Sequence, residues 1–540
     1  MKRIILYFEQ NPWVLYLIAS VLVLPAFLVN LGLMPLRFDG AFRGLVALEM
    51  LYSDNYITPT LNGEFYYNKP PLFNWFILLI YKLTGVYNEF TIRIPVILSI
   101  IFIGIAVYVF LHKRFSRDFA MINAFLFMTG GCLFFGYSSL GLTDVTYSFL
   151  LLMSFFSLYH FYHKEKLFLA FVLSWLFAAG GYLVKGLPAV AFQVITLVVF
   201  MVVNKDFKRL FHWKHILGVF GFLIPLVAYY YSYFRINPDG WERVVYRMYI
   251  ESAQKSTLGT NSFMDFVEHI ARFPLWFWYN LLPYSLLIIF CFRKDYYSQI
   301  RANKLLLFSF WAFLFNVLVY WVSPGTDKNM KYMIMLFPMF YLIIYFFYDK
   351  FKDPAKSRTK VLHYIFLGLS ILFALASLYA PFYKETRELP YISLISILLF
   401  VFLAFFSYVL YRISMHKLWV FIIVIIIARI GFNFIMQPVY VSSLQELEFK
   451  KEAIEAGKAI GGEDVYLCTY INEDITFYIS REIGRILPMH HKETYDDNIF
   501  YIFDHRQMKE IRNSGRDFEI FSEFACEHEN KDLFLIKFRE

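Results

Sequence analysis

The sequence predicts an α-helical polytopic membrane protein of about thirteen transmembrane helices, followed by a small α/β domain outside the cytoplasm. Three observations carry this expectation. The 540 residues are 59% hydrophobic and 21% aromatic, well above the roughly 45–50% apolar share of soluble domains. Apolar residues come in runs of about 20, the length that crosses a hydrocarbon core. Basic residues recur in alternate connections between those runs, as the orientation of a multi-span chain requires.

The runs fall at about 12–34, 90–111, 119–138, 144–162, 167–184, 188–203, 215–234, 274–292, 304–322, 332–349, 361–380, 391–411 and 418–436. The first has a basic start but spanning length and no small-residue cleavage site, so it reads as a retained helix. Lys2 and Arg3, then "HKRFSRD", "HKEK", "NKDFKRLFHWKH", "FRKDYYSQIRANK", "YDKFKDPAKSRTK" and "YRISMHK", mark the cytoplasmic connections. The opposite connections then lie outside: a long loop over 35–89, short ones around Gly141, Lys185 and Lys328, a second long loop over 235–273, and the tail. A net charge of +9 distributed in this way reports topology, and nucleic acid is not an expected partner. Four cysteines without CxxC or Cys/His ligand spacing indicate no zinc site and no disulfide framework.

Two regions depart from the pattern of simple spans. In the first outer loop, "AFRGLVALEML" has one apolar helical face and "PPLFNWFILLIYKLTG" is apolar but short for a span, so both read as helices resting on the outer surface. After residue 440 the composition becomes charged and mixed. "EDVYLCTYI", "NIFYIFD" and "DLFLIKF" read as strands and "LQELEFKKEAIEAGKAI" as a helix. The expected organisation is a transmembrane domain over 1–440 and an α/β domain over 441–540, without internal repeats.

The outer polar residues are few enough to weigh singly. "LRFDGAFRG" sets Asp39 between Arg37 and Arg43 just past the first apolar run. Asp39 and Arg43 are four apart and share a helical face, as a surface salt bridge or as part of a site. In "YYNKPPLFNW", Pro70 and Pro71 suit the first turn of a helix, so Lys69 lies at its positive end, holding an anion or reaching to a lipid headgroup. "SPGTDKNMKYMIMLFP" offers Lys328, Lys331 and Tyr332 before a span. Lys185, followed by Gly186, fits C-terminal capping, Asp144 fits an N-cap, and His269 is a lone histidine near an interface. The spans are nearly free of charge, and Arg429, inside the last one, is an exception that the sequence does not explain. Cations around one carboxylate suit transfer of a group from a lipid phosphate: the cations hold the leaving oxygen and the carboxylate takes a proton. A lipid or lipid-linked sugar transporter is the alternative, but transporters carry ionisable residues near midplane and broken helices in repeated halves.

"FDGAFRGLVALEMLYSDNYITPTLNGEFYYNKPPLFNW", with "NEFTIRIP", resembles the first outer loop of the bacterial lipid A aminoarabinose transferases, relatives of the protein O-mannosyltransferases among GT-C glycosyltransferases. "LTDVTYSFLL", "LVKGLPAV" and "KNMKYMIMLFP" recur in the family's order. The resemblance implies a GT-C-like fold, a polyprenyl-phosphate sugar donor, an extracytoplasmic acceptor and a place in the bacterial inner membrane with the site facing the periplasm or cell exterior. It implies Asp39 as the catalytic aspartate and phosphate-binding roles for Lys69 and Tyr332, with Arg43 and Lys328 as further members and Asp144 and Lys185 as secondary ones. Many relatives carry a second acid where this chain has Gly40, and another where it has Asn68; the loss of both weakens the case for a bound divalent metal, which the sequence leaves open but does not support, and no cofactor is required.

Overall fold

The computed structural model describes residues 2–255, 263–323, 330–492, 494–526 and 531–539. Among them, nine helices are long and apolar enough to cross a membrane, and three bent pairs raise the number to as many as twelve. The sixth apolar run, 188–203, forms Pro188–Val203, a helix of 16 residues. At 1.5 Å per residue it rises about 24 Å, short of the roughly 30 Å core.

Each bend has a local cause in the sequence. Lys2–Gln10 meets Pro12–Leu28 at 92°, with a proline at the first helical position of the second segment. Arg117–Met128 meets Gly131–Ser139 at 55°. A Cβ on Gly131, which has φ +37°, would fall 1.9 Å from the Asn280 carbonyl oxygen, so only glycine permits that approach. The third pair, Met264–Asn280 and Tyr284–Phe290, turns by 114° at Pro283. A broken helix leaves carbonyl groups without intrahelical donors inside the membrane. Arg429 supplies donors there. Its guanidinium reaches the Phe135 carbonyl at 3.1 Å and the Ser139 hydroxyl at 2.6 Å.

The first outer loop forms the helix Asp39–Ser53, a two-stranded hairpin of Thr60–Leu61 and Glu64–Phe65, and the helix Leu72–Thr84. Asn62 and Gly63, both at positive φ, make the hairpin turn. Asp39–Ser53 does not simply rest on the surface with one face to water. Nearly every residue from Gly40 to Met50 is buried, Arg43 and Glu49 included. The covering comes from the tail: a Cβ on Gly44 would stand 3.5 Å from the Phe477 ring on one side and 2.6 Å from Ile92 on the other.

In the tail, Val465–Leu467 pairs in parallel with Phe500–Asp504, which pairs antiparallel with Lys531–Phe538, which in turn pairs antiparallel with Phe518–Cys526. Helices Glu446–Ile460, Glu473–Ile483 and His505–Asn513 accompany this sheet. Contacts to the first outer loop are polar and numerous. Arg37 forms an ion pair with Glu446, the Leu36 amide donates to the Tyr478 hydroxyl at 2.9 Å, and Tyr478 donates to Glu89 at 2.8 Å. The tail and the 35–89 loop therefore share one side of the membrane. Single cysteines at the exposed positions Ser53 and Ser514, in a background without native cysteines, should react equally with an impermeant thiol reagent on intact cells. Labelling of one and not the other would contradict the docking.

Candidate active site

Asp39 owes its position to the turn before it. Phe38, a non-glycine residue at φ +49°, precedes the helix, and its carbonyl accepts from the Ala41 amide at 3.1 Å. Such a backbone costs on the order of 1–3 kcal/mol and persists only where surrounding contacts fix it. Here they do: Arg93, buried in the helix Glu89–Leu111, donates to the carbonyls of Leu31 at 2.6 Å, Met34 at 2.7 Å and Pro35 at 3.0 Å. Neither arginine beside Asp39 in sequence pairs with it. Arg37 turns to Glu446, and Arg43, only 2% exposed, donates to the Tyr66 hydroxyl.

The carboxylate instead meets two lysines from distant segments. Lys69 Nζ stands 3.6 Å from Oδ1 and Lys331 Nζ 3.2 Å from Oδ2. The three side chains are 23%, 17% and 18% exposed, so the group is sheltered yet open to a reactant. Burial by itself would raise the Asp39 pKa; the charges of Lys69, Lys331 and Arg43, with the Lys331 hydrogen bond, overcome it and hold the carboxyl well below the usual carboxylate range. Asp39 is ionised at neutral pH.

Each lysine is placed by its own scaffold. Lys69 follows the hairpin, whose turn amides at Asn62 and Gly63 donate to the buried Glu49 carboxylate at 2.6 and 3.2 Å. Burial raises the Glu49 pKa although these amides oppose it. The helix after Lys69 begins at Leu72, with Pro71 as its N-cap, so the prolines precede the helix instead of occupying its first turn. Lys331 lies in the 3-10 segment Met330–Leu336, which runs into Phe337–Phe351. Lys328 lies outside the described residues.

Tyr332 extends the cluster. Its ring stacks on Tyr320, with centroids 6.2 Å apart, and Lys185 Nζ lies 4.1 Å above it. Lys185 forms a buried ion pair with Asp144. Asp144 is not the N-cap that its sequence context suggests. Leu142 occupies that position, and Asp144 sits in the first turn with its carboxylate committed to Lys185. The Lys185 side chain likewise turns to Asp144, while Gly186 at φ +85° closes the helix end. A Cβ on Gly141 would fall 3.0 Å from the Gly40 Cα, which brings the loop before Asp144 directly against the Asp39 helix. His269 is joined to the same region through Tyr320, whose carbonyl accepts from His269 Nε2 at 3.2 Å.

Residues 68–231 match the family described as dolichyl-phosphate-mannose-protein mannosyltransferase. ArnT from Cupriavidus metallidurans, solved with undecaprenyl phosphate bound, is similar in fold, with a TM-score of 0.70 over 97% of this chain and 98% of that one at 15% identity. An undecaprenyl phosphate-alpha-4-amino-4-deoxy-L-arabinose arabinosyl transferase from Shewanella sediminis is 25% identical over 289 residues, which is 49% of this chain and 47% of that protein. The chain has the fold of ArnT over nearly its whole length. An uncharacterized protein of Aquifex aeolicus is 24% identical over 389 residues, 70% of this chain and 72% of its own length. The ArnT-like fold thus brings Asp39, Lys69, Lys331 and Tyr332 together, with the Asp144–Lys185 pair behind them. It encloses Arg43 against Tyr66.

The buried pair generates a stability prediction. Removing one member of a buried ion pair typically costs about 3–5 kcal/mol, because the other charge is left uncompensated. Asp144→Asn should therefore lower the thermal unfolding temperature in detergent markedly, and the double variant D144N/K185M should recover most of the loss. An unaltered D144N protein would show that the pair carries no structural load.

Proposed function

We propose that this chain is an integral membrane glycosyltransferase that moves a sugar from a polyprenyl phosphate to an acceptor outside the cytoplasm. The observation that supports it best is Asp39 held between the ammonium groups of Lys69 and Lys331. Its likeness to arabinosyl transferases named for an undecaprenyl phosphate substrate points to the same donor class. The basic connections at the far ends of the helices favour an outward-facing site. Arg429, the intramembrane charge that would interest a transporter, is engaged in bracing a helix break.

In the proposed reaction the bond between the anomeric carbon and the phosphate oxygen breaks, and a bond to the acceptor oxygen or nitrogen forms. The proton leaving the acceptor passes to Asp39, and the polyprenyl phosphate departs with its added negative charge held by Lys69, Lys331 and the Tyr332 hydroxyl. Inversion at the anomeric carbon is what the family likeness implies. Side chains and the lipid donor supply every group this scheme uses. A carboxylate with so low a pKa is a weak base, and general-base efficiency rises as the pKa approaches the working pH. The donor phosphate offers the lysines a second anion. As they turn to it, Asp39 loses part of the field that depressed its pKa and becomes more basic when an acceptor needs it.

General-base assistance contributes about 10² to 10⁴ in rate. Asp39→Asn should therefore abolish most single-turnover transfer while donor binding survives, whereas Lys69→Ala should weaken donor binding first. Transfer by D39N near the wild-type rate would make Asp39 a salt-bridge partner only. The acid limb of kcat should lie at higher pH than that of kcat/KM, since the donor-bound carboxylate is the more basic one; coincident limbs would sink the lysine exchange.

A further inference from the structure

The helix that begins beside Asp39 ends, across the membrane, at a second polar feature that the transfer reaction does not use. Met330–Leu336 and Phe337–Phe351 run from Lys331 to Phe351. At that far end a cleft of about 470 Å³ opens between the 291–295 connection and the start of the helix Ser357–Tyr379. Four cations line it, Arg293, Lys294, Lys356 and Arg358, against one carboxylate, Asp295.

That carboxylate is already engaged. Arg293 Nε donates to it at 2.8 Å and Gln299 at 3.0 Å, while the Arg293 guanidinium lies 3.6 Å from the Phe351 ring centroid. Lys356 approaches Asp353 only to 3.8 Å. Arg358 donates to the Phe292 carbonyl at 3.1 Å, and among the described residues no carboxylate lies within ion-pair distance of Arg358 or Lys294. The cleft thus keeps uncompensated positive charge. The helix Ser357–Tyr379 adds the positive end of its dipole, because it starts among the lining residues and its N-cap, Lys356, makes no side-chain cap hydrogen bond. Beside these charges Phe292 is 69% exposed. An aromatic ring next to cations at the end of membrane spans matches an interface with headgroups above and acyl chains beside it.

We infer that this cleft binds the phosphate of an anionic phospholipid in the leaflet opposite the active site, with Lys294, Lys356 and Arg358 on the phosphate and Phe292 against the glycerol and upper acyl chain. Basic pockets between transmembrane helices on the cytoplasmic side hold lipid headgroups by this combination of charge and shelter. A diffuse basic surface would attract the same lipids without a defined stoichiometry, so the test has to separate a site from a surface.

Phosphatidylglycerol is titrated into the detergent-solubilised full chain and bound lipid counted by native mass spectrometry, with phosphatidylcholine and inorganic phosphate in parallel arms. Lys294→Gln with Arg358→Gln removes two charges but keeps hydrogen-bonding side chains at exposed positions, so folding should survive. Each charge near a phosphate is worth a factor of roughly five, so the tightest phosphatidylglycerol site should weaken roughly thirtyfold. Lys113→Gln with Lys164→Gln, exposed on the same end of the bundle, should leave that site unchanged, and phosphatidylcholine should not fill it. The proposal is overturned if K294Q/R358Q binds like the wild type or if both double variants weaken binding equally. It is also overturned if inorganic phosphate binds as tightly as the lipid, which would make the cleft a site for a soluble anion.

Discussion

The placement of Asp39 depends on one buried guanidinium. Between the end of the first span and the first outer helix the chain runs without secondary structure, and its carbonyls face an apolar interior where an unpaired group is costly. Arg93 satisfies three of them at once, at Leu31, Met34 and Pro35. It can do so because it stands one turn into a helix that starts firmly: Asn88 and Thr91 cap each other reciprocally, and Glu89 in the first turn takes hydrogen bonds from Tyr478 and Lys450. Tyr478 then closes the circuit by accepting from the Leu36 amide. Four carbonyl and amide groups over 31–36 are thereby fixed by two side chains from opposite ends of the sequence. The strained Phe38 and the exposed edge of Asp39 follow from that anchoring.

The tail consequently acts as part of the transmembrane domain's outer wall. Its helix Glu473–Ile483 carries Phe477 and Tyr478 onto Asp39–Ser53 and the 31–36 connection, and its Glu446 removes Arg37 from competition for Asp39. If Arg37 were free, a third cation next to the carboxylate would depress its basicity further and compete with Lys69 and Lys331 for a phosphate. Pairing Arg37 with Glu446, and Arg43 with Tyr66, leaves the two lysines as the groups in contact with Asp39. A single carboxylate between two ammoniums then stays ionised despite its shelter.

Much of this was legible in residue order, and the remainder was hidden for identifiable reasons. Apolar run length locates the spans, because each must satisfy its backbone internally across a fixed thickness. It says nothing of bends, which come from close approaches such as Gly131 against Asn280, a contact made across 149 residues of sequence. The strands 465–467, 500–504 and 531–538 stand out as apolar runs, whereas "FEIFSEFAC" alternates charge with apolar residues and "EDITFYISREI" opens with acids, so strand 518–526 and helix 473–483 are easily passed over. The hairpin at Asn62–Gly63 carries the strongest short-range turn signal in the loop, yet its strands are two residues each, too short for periodicity to register. Lys69 and Tyr332 are conspicuous in their motifs. The nearest neighbour of Asp39 is nonetheless Lys331, 292 positions away, and only the packing of the spans decides which of several outer cations arrives there.

Why lysine and not arginine touches Asp39 follows from the exchange the reaction demands. An arginine fork matches a carboxylate bidentately and, once engaged, is held in one plane; Arg43 on Tyr66 and Arg93 on its carbonyls show that fixed use. Lysine is a compact charge on a flexible stem with three rotatable donors, so moving from a carboxylate to a phosphate oxygen needs stem rotation and no replanning of a planar contact. The observed separations, 3.6 and 3.2 Å, are looser than a charge-assisted hydrogen bond of about 2.8 Å. Both ammoniums are close enough to keep Asp39 charged and far enough to be drawn away by a more highly charged anion. The arginines of the outer face build the frame, and the lysines are the parts that can change partner within it.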